Sequence, residues 1–467
     1  MKIKAVPITW VIGEQHRFDC GPFTRGGIEA KKTLESLRVP KSKLVDVTLG
    51  GMSGMYHVGM DKLRWVDGPE YGVPFLRSAD ILRADLSDQP YISRVQVLGN
   101  PLFTCPAGTT LITRSGTIGR MAYCREDMAQ MGMSQDVLKV VPDQAKIPSG
   151  YLYAFLSSKY GVPLIVNGTF GSIIVHIERE NIAELPVPRF AATIEQRAHR
   201  AIERAAVLRA QYQQMLVGAT MRLLAHVGIQ EQTSDIWYGS GQEVGFEARV
   251  GVSHSFRASN YSPRVRRLLD HLRRLPHRTL GAICTAGHLG TGARFKRIDC
   301  DPALGVKLIG QRQGFWMRPE GRWISARRAP PGIFAVDETV MIASSGTLGE
   351  NELYCRPIFV TGRWLEYAFT QHFLRVVPGD GEISGSYLFA FLRSELAFRC
   401  LRSMSTGSKQ QEIHQDLISA FPVPILDDQA RGQIERAVRE AFLKRDEADR
   451  LEDEAVALVE HAIEEAA

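Results

Sequence analysis

The chain carries one motif twice, and this duplication limits its possible folds more than any other feature. The stretch LITRSGTIGRMAYC (111–124) returns as MIASSGTLGENELYC (341–355). The register then holds at an offset of 236 residues for SQDVLKVVP (134–142) with TQHFLRVVP (370–378), YLYAFLSS (151–158) with YLFAFLRS (387–394), and IAELPVP (182–188) with ISAFPVP (418–424). Solenoid repeats have periods of roughly 20–50 residues. The sequence therefore predicts two homologous halves, each of domain size.

Each half begins with short strand-like segments that Gly, Pro, Asn and Ser separate. They alternate with helix-like stretches such as Tyr151–Ser158, a pattern typical of a mixed α/β domain. In the first half the predicted strands are AVPITWVI (5–12), TTLITRSG (109–116), MAYC (121–124), VLKVVP (137–142) and SIIVHI (172–177). The Ser-Gly-Thr-x-Gly runs at 115–119 and 345–349 are interpreted as tight turns, where Gly tolerates positive φ.

A long Pro-free segment follows each PVP, whose prolines are expected to stop the preceding strand. Apolar residues recur there every three or four positions, at Ile194, Ala198, Ala201, Ala205, Leu208, Tyr212, Met215, Ala219 and Leu223, and again at Ile434, Val438, Ala441, Ala448, Leu451, Ala455, Leu458 and Ile463. At ~1.5 Å per residue such helices are ~55–60 Å long. A small domain cannot bury so long an apolar seam, so the two seams are predicted to pair as an antiparallel coiled coil.

The predicted fold class is therefore α+β, with two homologous mixed α/β domains separated by two long helices. The predicted order is a first domain at 1–190, a first long helix at 191–227, a linker at 228–255, a second domain at 256–426 and a second long helix at 427–467. The scattered Gly and polar residues of the linker leave room for an edge strand.

Composition indicates a cytoplasmic protein. The chain is 44% apolar and 23% charged, and none of its apolar runs approaches the ~18–20 residues of a membrane span. Its seven cysteines are odd in number and form no CxxC pair, which argues against a disulfide framework or a zinc ribbon. Cys124 and Cys355 share one repeat position and are expected to be small buried residues.

Charge is distributed unevenly along the chain. Thirteen acidic and six basic residues lie from Asp427 to Ala467, which gives this segment a net charge of −7. Because the net charge of the whole chain is +6, the rest of the chain carries +13. A basic body suggests a polyanion as its partner, and an acidic helix suggests a protein partner. An unevenly solvated surface is the simpler alternative.

Motifs of catalysis are weak. The stretch NPLF (Asn100–Phe103) is similar to the NPPY-type loop of amino-methyltransferases, but its second Pro is missing and no Gly-rich AdoMet loop follows an early strand. Walker A, HExxH and GxSxG patterns are also lacking, and no metal site is predicted. The sequence thus points to a protein without catalytic residues of its own.

Basic residues interleaved with aromatic and amide residues are better represented, in similar places in both halves. Arg and Gln read guanine and adenine in the major groove, while Lys and Arg hold phosphates. The predicted DNA-binding residues are Arg64, Arg77, Arg114, Arg120, Arg294, Lys296, Arg312, Gln313, Arg322 and Lys409. Any one of these loops alone would fit a solvated surface equally well.

With these motifs in order, the chain resembles the specificity (S) subunits of type I restriction–modification systems. The likeness rests on FLRSADIL (75–82), GTTLITRSGTIGRMAYC (108–124), SQDVLKVVP (134–142), YLYAFLSS (151–158) and GSIIVHIERENIAELPVP (171–188), with second-half partners ending in GSKQQEIHQDLISAFPVP (407–424). It covers most of the chain. The second half departs from the pattern at KLIGQRQG (307–314), where a clearer FLRSADIL-like stretch is expected.

The resemblance implies that each α/β domain is a target-recognition domain reading one half of a split double-stranded DNA site. The helices would hold the domains apart and dock two modification (methyltransferase) subunits that bring AdoMet, and motor/nuclease subunits would add to that core. This chain itself would hold no cofactor. The alternatives are a recognition subunit of a type IIB-like or other phage-defence methylation complex, a DNA methyltransferase using the Asn100–Phe103 loop, and a scaffold without a nucleic-acid role.

Overall fold

A computed structural model of the chain describes residues 5–13, 21–24, 26–116, 118–167, 176–239, 241, 243, 245–248, 255–379 and 381–467. Contacts divide them into two compact units. Unit 1 comprises the described residues within Met1–Arg83, Gln89–Ala210 and Glu447–Ala467, and unit 2 those within Ala84–Asp88 and Gln211–Asp446. Both units take in part of each long helix, so the five-part division proposed from sequence stays a prediction.

Unit 1 is built on an antiparallel four-stranded sheet. Its strands follow the order Met55–Tyr56, Val137–Val140, Thr110–Thr113 and Met121–Tyr123. All residues of the two central strands are buried, and the apolar helix Ser149–Leu156 shares their core cluster. These elements confirm the strand predictions at 109–116, 121–124 and 137–142, whereas most of SIIVHI lies outside the described residues.

Two smaller sheets complete the strands of unit 1. The first has the order Trp65–Val66, Tyr91–Ser93, Gly72–Leu76 and Gly132–Met133, and the second pairs Lys41–Lys43 with Pro186–Pro188. Gly72–Leu76 and Gly132–Met133 run parallel, with Leu76 opposite Met133. The remaining short helices are Ile8–Gly13, Gly21–Thr24, Gly27–Ser36, Arg94–Gly99, Glu126–Ala129, Gly161–Asn167 and Arg179–Ile182.

Unit 2 repeats this architecture. Its four-stranded sheet has the order His288–Thr291, Phe373–Val377, Thr339–Ala343 and Pro357–Val360. A three-stranded sheet has the order Gly321–Ser325, Gly305–Ile309 and Ala368–Phe369. A two-stranded sheet pairs His277–Thr279 with Pro422–Pro424. A further sheet has the order Ser345–Gly346, Gln411–Ile413 and Ser405–Gly407. Its short helices are Ser234–Gly239, Pro263–Arg274, Leu280–Ile283, Gly385–Leu392, Glu395–Ser403 and Gln415–Ser419.

The four-stranded sheets of the two units correspond strand by strand, as do their two-stranded pairs, whereas the unit 1 strand Trp65–Val66 has no equivalent in the three-stranded sheet of unit 2. The parallel pair of unit 1 has its equivalent in unit 2, where Ile309 stands opposite Phe369 as Leu76 stands opposite Met133. This register aligns FLRSADIL (75–82) with residues 308–315, which overlap KLIGQRQG, the stretch where the sequence pattern departs from its repeat. The duplication seen in sequence is therefore a duplication of topology.

The two long helices run over Ala192–Val227 and Asp428–Ala466. In unit 1, Ala198 and Ile202 share a core cluster with Ala455, Val459 and Ile463. Ala205 and Leu208 form a small cluster with Ala448, and Leu451 packs against it. In unit 2, Leu216, Ala219 and Leu223 share a cluster with Ile434 and Val438, and the rings of Tyr212 and Phe442 meet edge to face at 5.2 Å. The seam residues predicted from periodicity are thus buried or half-buried.

A buried ionic group interrupts the seam in unit 1. The Arg209 guanidinium donates to Asp449 at 2.8 Å and pairs with Glu452, which also accepts from the Tyr153 hydroxyl at 2.7 Å. Burial disfavours the charge on Arg209, but Glu452 and Asp449 outweigh it and raise the pKa of Arg209. Replacing a buried ion pair by apolar residues is often neutral, whereas removing one partner is costly.

Four local predictions require correction. The Ser-Gly-Thr run at 345–349 is not a tight turn, because Ser345–Gly346 is a strand that pairs with Gln411–Ile413. The segment AVPITWVI is not a strand: Ile8–Gly13 is helical, and Ile8 and Ile12 are exposed. A short apolar run fits helix and strand equally well, and Pro7 is suited to the start of a helix. Each PVP forms a short strand rather than ending one, since Pro is tolerated in two-stranded edge pairs. In the linker the described element is the helix Ser234–Gly239.

Among the described residues, no helix combines the length and the apolar character needed to cross a membrane.

Candidate nucleic-acid interface

The turn that follows the strand Gly305–Ile309 presents the two predicted base-reading residues of unit 2. Backbone hydrogen bonds from Gly314 to Gly310 (3.0 Å), Phe315 to Arg312 (3.3 Å) and Trp316 to Gln313 (3.0 Å) close it. A Cβ on Gly314 would lie 2.8 Å from the Phe373 ring, so this position requires Gly. The core thus holds one side of the turn, while Arg312 is exposed and Gln313 half-buried.

Three segments of unit 2 meet at Ser345, the second Ser of the SSGTLG motif. The Gln311 amide donates to the Ser345 carbonyl at 2.7 Å and accepts from its N–H at 3.3 Å. From the hairpin between Ser405–Gly407 and Gln411–Ile413, the Gln410 amide donates to the Ser345 hydroxyl at 2.5 Å. Gln311 precedes Arg312, and Gln410 follows exposed Lys409. The two glutamines therefore hold the turn that carries Arg312 and the hairpin that carries Lys409 against Ser345.

Unit 1 has a corresponding but simpler junction. After the strand Gly72–Leu76, the N–H of Arg77 donates to the Asp80 carboxylate at 2.9 Å, and the Arg77 guanidinium pairs with it at 3.2 Å. The Ser78 hydroxyl donates to the carbonyl of Ser115, in the RSGTIG motif, at 3.4 Å. Ser78 thus occupies the place of Gln311, and Ser115 that of Ser345. Both units hold a strand-end turn against the Ser of the repeated Ser-Gly-Thr motif.

The four residues predicted in unit 1 have different environments. Arg64 is exposed, and its N–H donates to the Gln96 amide at 3.0 Å. Arg77 is half-exposed in its ion pair. Arg120 is half-buried. The Arg114 side chain is only 13% exposed, donates to the Ile177 and Gln135 carbonyls and pairs with Glu178. Arg114 therefore joins elements of unit 1 in this structure, a role that motif reading did not indicate.

The remaining predicted residues of unit 2 lie in exposed segments. Arg294 and Lys296 are exposed in the loop after His288–Thr291. Arg322 makes a bidentate pair with Asp299 at 2.8 Å, and hydrogen bonds from Arg322 lower the pKa of that carboxyl. Both members of the pair are more than half exposed, so little energy opposes its opening. Lys307, which the sequence reading missed, lies over the rings of Trp323 and Tyr367.

The NPLF stretch has a structural role in unit 1. Pro101–Phe103 is a 3-10 turn that Asn100 caps: its side-chain oxygen accepts from the Leu102 N–H at 3.1 Å, and its amide donates to Asp61 at 3.1 Å. The Leu102 carbonyl accepts from the buried Lys139 ammonium at 2.9 Å. The amide of Asn100 is thus engaged in the fold, which disfavours a substrate-binding role for it.

Within the described part of the chain, no group of three or more His, Cys, Asp or Glu side chains is placed to hold a metal ion. Of the two cysteines at the shared repeat position, Cys124 and Cys355, each is fully buried, as expected for small core residues.

Comparison with models of protein families gives no match, and a search of curated proteins gives none either. Among solved structures, similar chains belong to type I restriction–modification systems. An S subunit from M. genitalium is 13% identical, with 92% of this chain and 95% of that chain covered and a TM-score of 0.31. The HsdS subunit from Thermoanaerobacter tengcongensis is 10% identical, with 91% and 96% covered and a TM-score of 0.27.

A third similar chain comes from a structure concerning complex assembly and conformational transition of the type I R-M system. It is 12% identical, with 90% of this chain and 98% of that chain covered and a TM-score of 0.26. The three likenesses thus extend over nearly whole chains. At these identities and TM-scores they do not carry a functional argument, which rests on the residues of the chain itself.

Proposed function

We propose that this chain is the DNA-recognition subunit of a type I-like restriction–modification complex and that each unit reads one half of a split DNA site. The observation that carries the proposal is the repeated junction: each unit holds a strand-end turn against the Ser of its Ser-Gly-Thr motif, through Ser78 and Ser115 in one and through Gln311 and Ser345 in the other. Two copies of the same strand arrangement suit a DNA site with two halves, because each copy can carry its own base-contacting residues.

The exposed chemistry at the unit 2 junction favours DNA as the ligand. Arg312 offers a guanidinium that can donate two hydrogen bonds to guanine, and Gln313 an amide that can pair with adenine. Lys409, exposed in the neighbouring hairpin, supplies a positive charge for phosphate. Arg294, Lys296 and Arg322 extend the set of phosphate-binding candidates in the same unit. The basic balance of the chain outside the second long helix agrees with such a partner.

The two long helices are proposed to pair as an antiparallel coiled coil that sets the separation of the two half-sites. They would also dock two modification subunits, which supply AdoMet, and motor/nuclease subunits would join that core. In this proposal the chain contributes specificity and its partners contribute the chemistry. Membership of a type IIB-like or another phage-defence methylation complex would change the partners and leave the reading role unchanged.

The test uses the chain assembled with its partner modification subunits. Single-molecule sequencing of DNA from cells that contain the complex should show one methylated motif, made of two short half-sites separated by unspecified base pairs. A continuous motif, or no methylation that depends on this chain, would contradict the proposal.

The role of Arg312 can be tested in the same complex. We expect Arg312→Ala to weaken binding by ~1–3 kcal/mol and to relax base preference in one half-site only, because a lost base contact removes discrimination at its own position. Arg274→Ala, at an exposed arginine at the end of the helix Pro263–Arg274, is the matched control and should leave preference unchanged. An equal loss on all sequences would make Arg312 a phosphate contact.

A further inference from the structure

The short segment Ala84–Asp88 belongs to unit 2, although the residues on either side of it in sequence belong to unit 1. It follows FLRSADIL, the counterpart of the KLIGQRQG turn, and precedes the strand Tyr91–Ser93. A five-residue segment that belongs to unit 2 while its sequence neighbours belong to unit 1 needs specific contacts with unit 2 to hold it there. Two of these contacts are ion pairs with largely buried side chains, and a backbone hydrogen bond reaches the candidate recognition turn.

Asp85 is the main anchor of the segment. Its carboxylate accepts from the Arg393 guanidinium at 2.6 Å and from the Gln213 amide at 2.9 Å, and the oxygen of that amide accepts from the Leu86 N–H at 3.0 Å. Arg393 is itself fixed to the first long helix through the Leu216 carbonyl at 2.9 Å. Burial acts to raise the pKa of Asp85, but Arg393 outweighs it and holds that pKa well below its usual range.

A second anchor lies at the other end of the segment. The Asp88 carboxylate is 3.4 Å from the Arg356 guanidinium, and both side chains are largely buried. Arg356 also pairs with Glu395 and stacks on the Phe398 ring at 3.5 Å. Removing one member of a buried, hydrogen-bonded pair leaves the other charge uncompensated, so these anchors strongly favour a single position of the segment.

The first residue of the segment contacts the recognition turn directly. The Ala84 N–H donates to the carbonyl of Phe315 at 3.0 Å, and Phe315 closes the turn that carries Arg312 and Gln313. The opposite side of that turn rests on the core through Gly314. The turn is therefore held between the core of unit 2 and a segment encoded in the first half of the sequence.

We propose that Ala84–Asp88 is a positioning segment for the unit 2 recognition turn, so that reading of the second half-site depends on residues of the first half. The proposal rests on the function proposed above for Arg312 and Gln313.

The test compares wild-type chain with Asp85→Asn in the assembled complex. Hydrogen exchange of the amides of Gly314, Phe315 and Trp316 should rise about tenfold, because the turn loses one of its two supports. Discrimination among second half-site sequences should fall about tenfold, equivalent to ~1.4 kcal/mol, with the first half-site read as before. Asp143→Asn, which removes another carboxylate of the first half, paired with Lys146, is the matched control and should change neither measurement.

A second variant isolates the contact with the turn and keeps the test decisive if Asp85→Asn does not fold. Ala84→Pro removes the N–H that reaches Phe315, and Arg83, with φ −72° and ψ 142°, already has the conformation preferred before Pro. Exchange in the strand Phe373–Val377 reports on general unfolding of unit 2 and should stay constant.

Unchanged exchange of the turn amides in the folded variants would overturn the proposal, as would an equal loss of discrimination at both half-sites. If the wild-type complex itself discriminates no sequences, the proposed function fails, and the exchange measurement still decides whether the segment positions the turn.

Discussion

The buried cation at the centre of unit 1 gives a pH dependence whose size follows from the structure. Lys139 lies in the strand Val137–Val140, its ammonium donates to the Leu102 carbonyl at 2.9 Å, and its side chain has no exposed surface. Burial lowers the pKa of Lys139 from 10.5 to about 8. Between these two values the unfolded chain holds the proton and the folded chain does not, so raising the pH favours the folded chain.

The magnitude follows from the difference between the two pKa values. Each pKa unit corresponds to ~1.4 kcal/mol, so unit 1 should gain ~3 kcal/mol of stability between about pH 8 and pH 10.5 from this group. Below about pH 8 the cost of the buried charge is present in full. Lys139→Met removes the titrating group and keeps most of the side-chain volume. The wild-type chain should therefore gain ~3 kcal/mol relative to Lys139→Met across this range.

Pulse proteolysis in urea, with unit 1 peptides followed by mass spectrometry, would measure the difference at several pH values. Comparing two variants cancels the contribution of the tyrosines and cysteines that titrate in the same range. Lys146→Met, at an exposed lysine of the same unit, should keep the wild-type pH dependence. Parallel curves for wild type and Lys139→Met from about pH 7.5 to 10 would refute the reasoning.

Two further outcomes follow from the long helices. Arg209→Met should destabilise unit 1 by ~3–5 kcal/mol in urea unfolding, because it leaves the buried carboxylates of Asp449 and Glu452 uncompensated. Adding Asp449→Asn and Glu452→Gln should restore most of the lost stability. Little change in stability for the single variant would contradict this prediction. Four residues inserted after Ala210 and four after Asp446 add ~6 Å and ~40° of rotation, so the gap in the methylated motif should lengthen by about one or two base pairs while both half-sites persist. Altered half-sites with an unchanged gap would contradict the proposed spacing role.

Periodicity and repetition predicted elements that contribute many residues to the buried core. The seam from Ala198 to Leu223 and the strands at 110–113 and 137–140 follow from patterns that local spacing determines. The segment at 5–12 was predicted wrongly because a short apolar run does not distinguish a strand from a helix when no neighbour is known. The PVP strands escaped prediction because a Pro is compatible with a strand only at an edge, and edges are defined by tertiary pairing.

The candidate interface was harder to predict from the sequence than the fold, because the role of each polar side chain depends on the polar group to which it hydrogen-bonds. Arg114 and Arg312 look equally available in the sequence, yet Arg114 is engaged with Glu178 and two carbonyls while Arg312 is exposed. Gln311 and Gln410 were not chosen as site residues, although both hold Ser345. Their partners lie far apart in sequence, so spacing contains no signal for them.

Comparing the two units shows how one arrangement of strands can carry two different exposed surfaces. The buried cation of the frame is Lys139 in unit 1 and Arg375 at the same repeat position in unit 2, where it donates to the carbonyls of Ile333 and Phe334. Each cation donates to a carbonyl of a 3-10 turn, Pro101–Phe103 in unit 1 and Pro331–Ile333 in unit 2. Lys and Arg therefore stabilise equivalent turns in the two units.

The candidate recognition turns differ more than the strands that support them. Where unit 1 has Ser78 and the Arg77–Asp80 pair, unit 2 has Gln311 and an exposed Arg312. Backbone geometry at the two turns is nevertheless matched, because each follows a strand of a parallel pair and each closes with a hydrogen bond across three residues. Side chains on these turns can therefore change without disturbing the core that seats them. This separation of frame from surface is what a chain needs if its two halves are to read different DNA sequences.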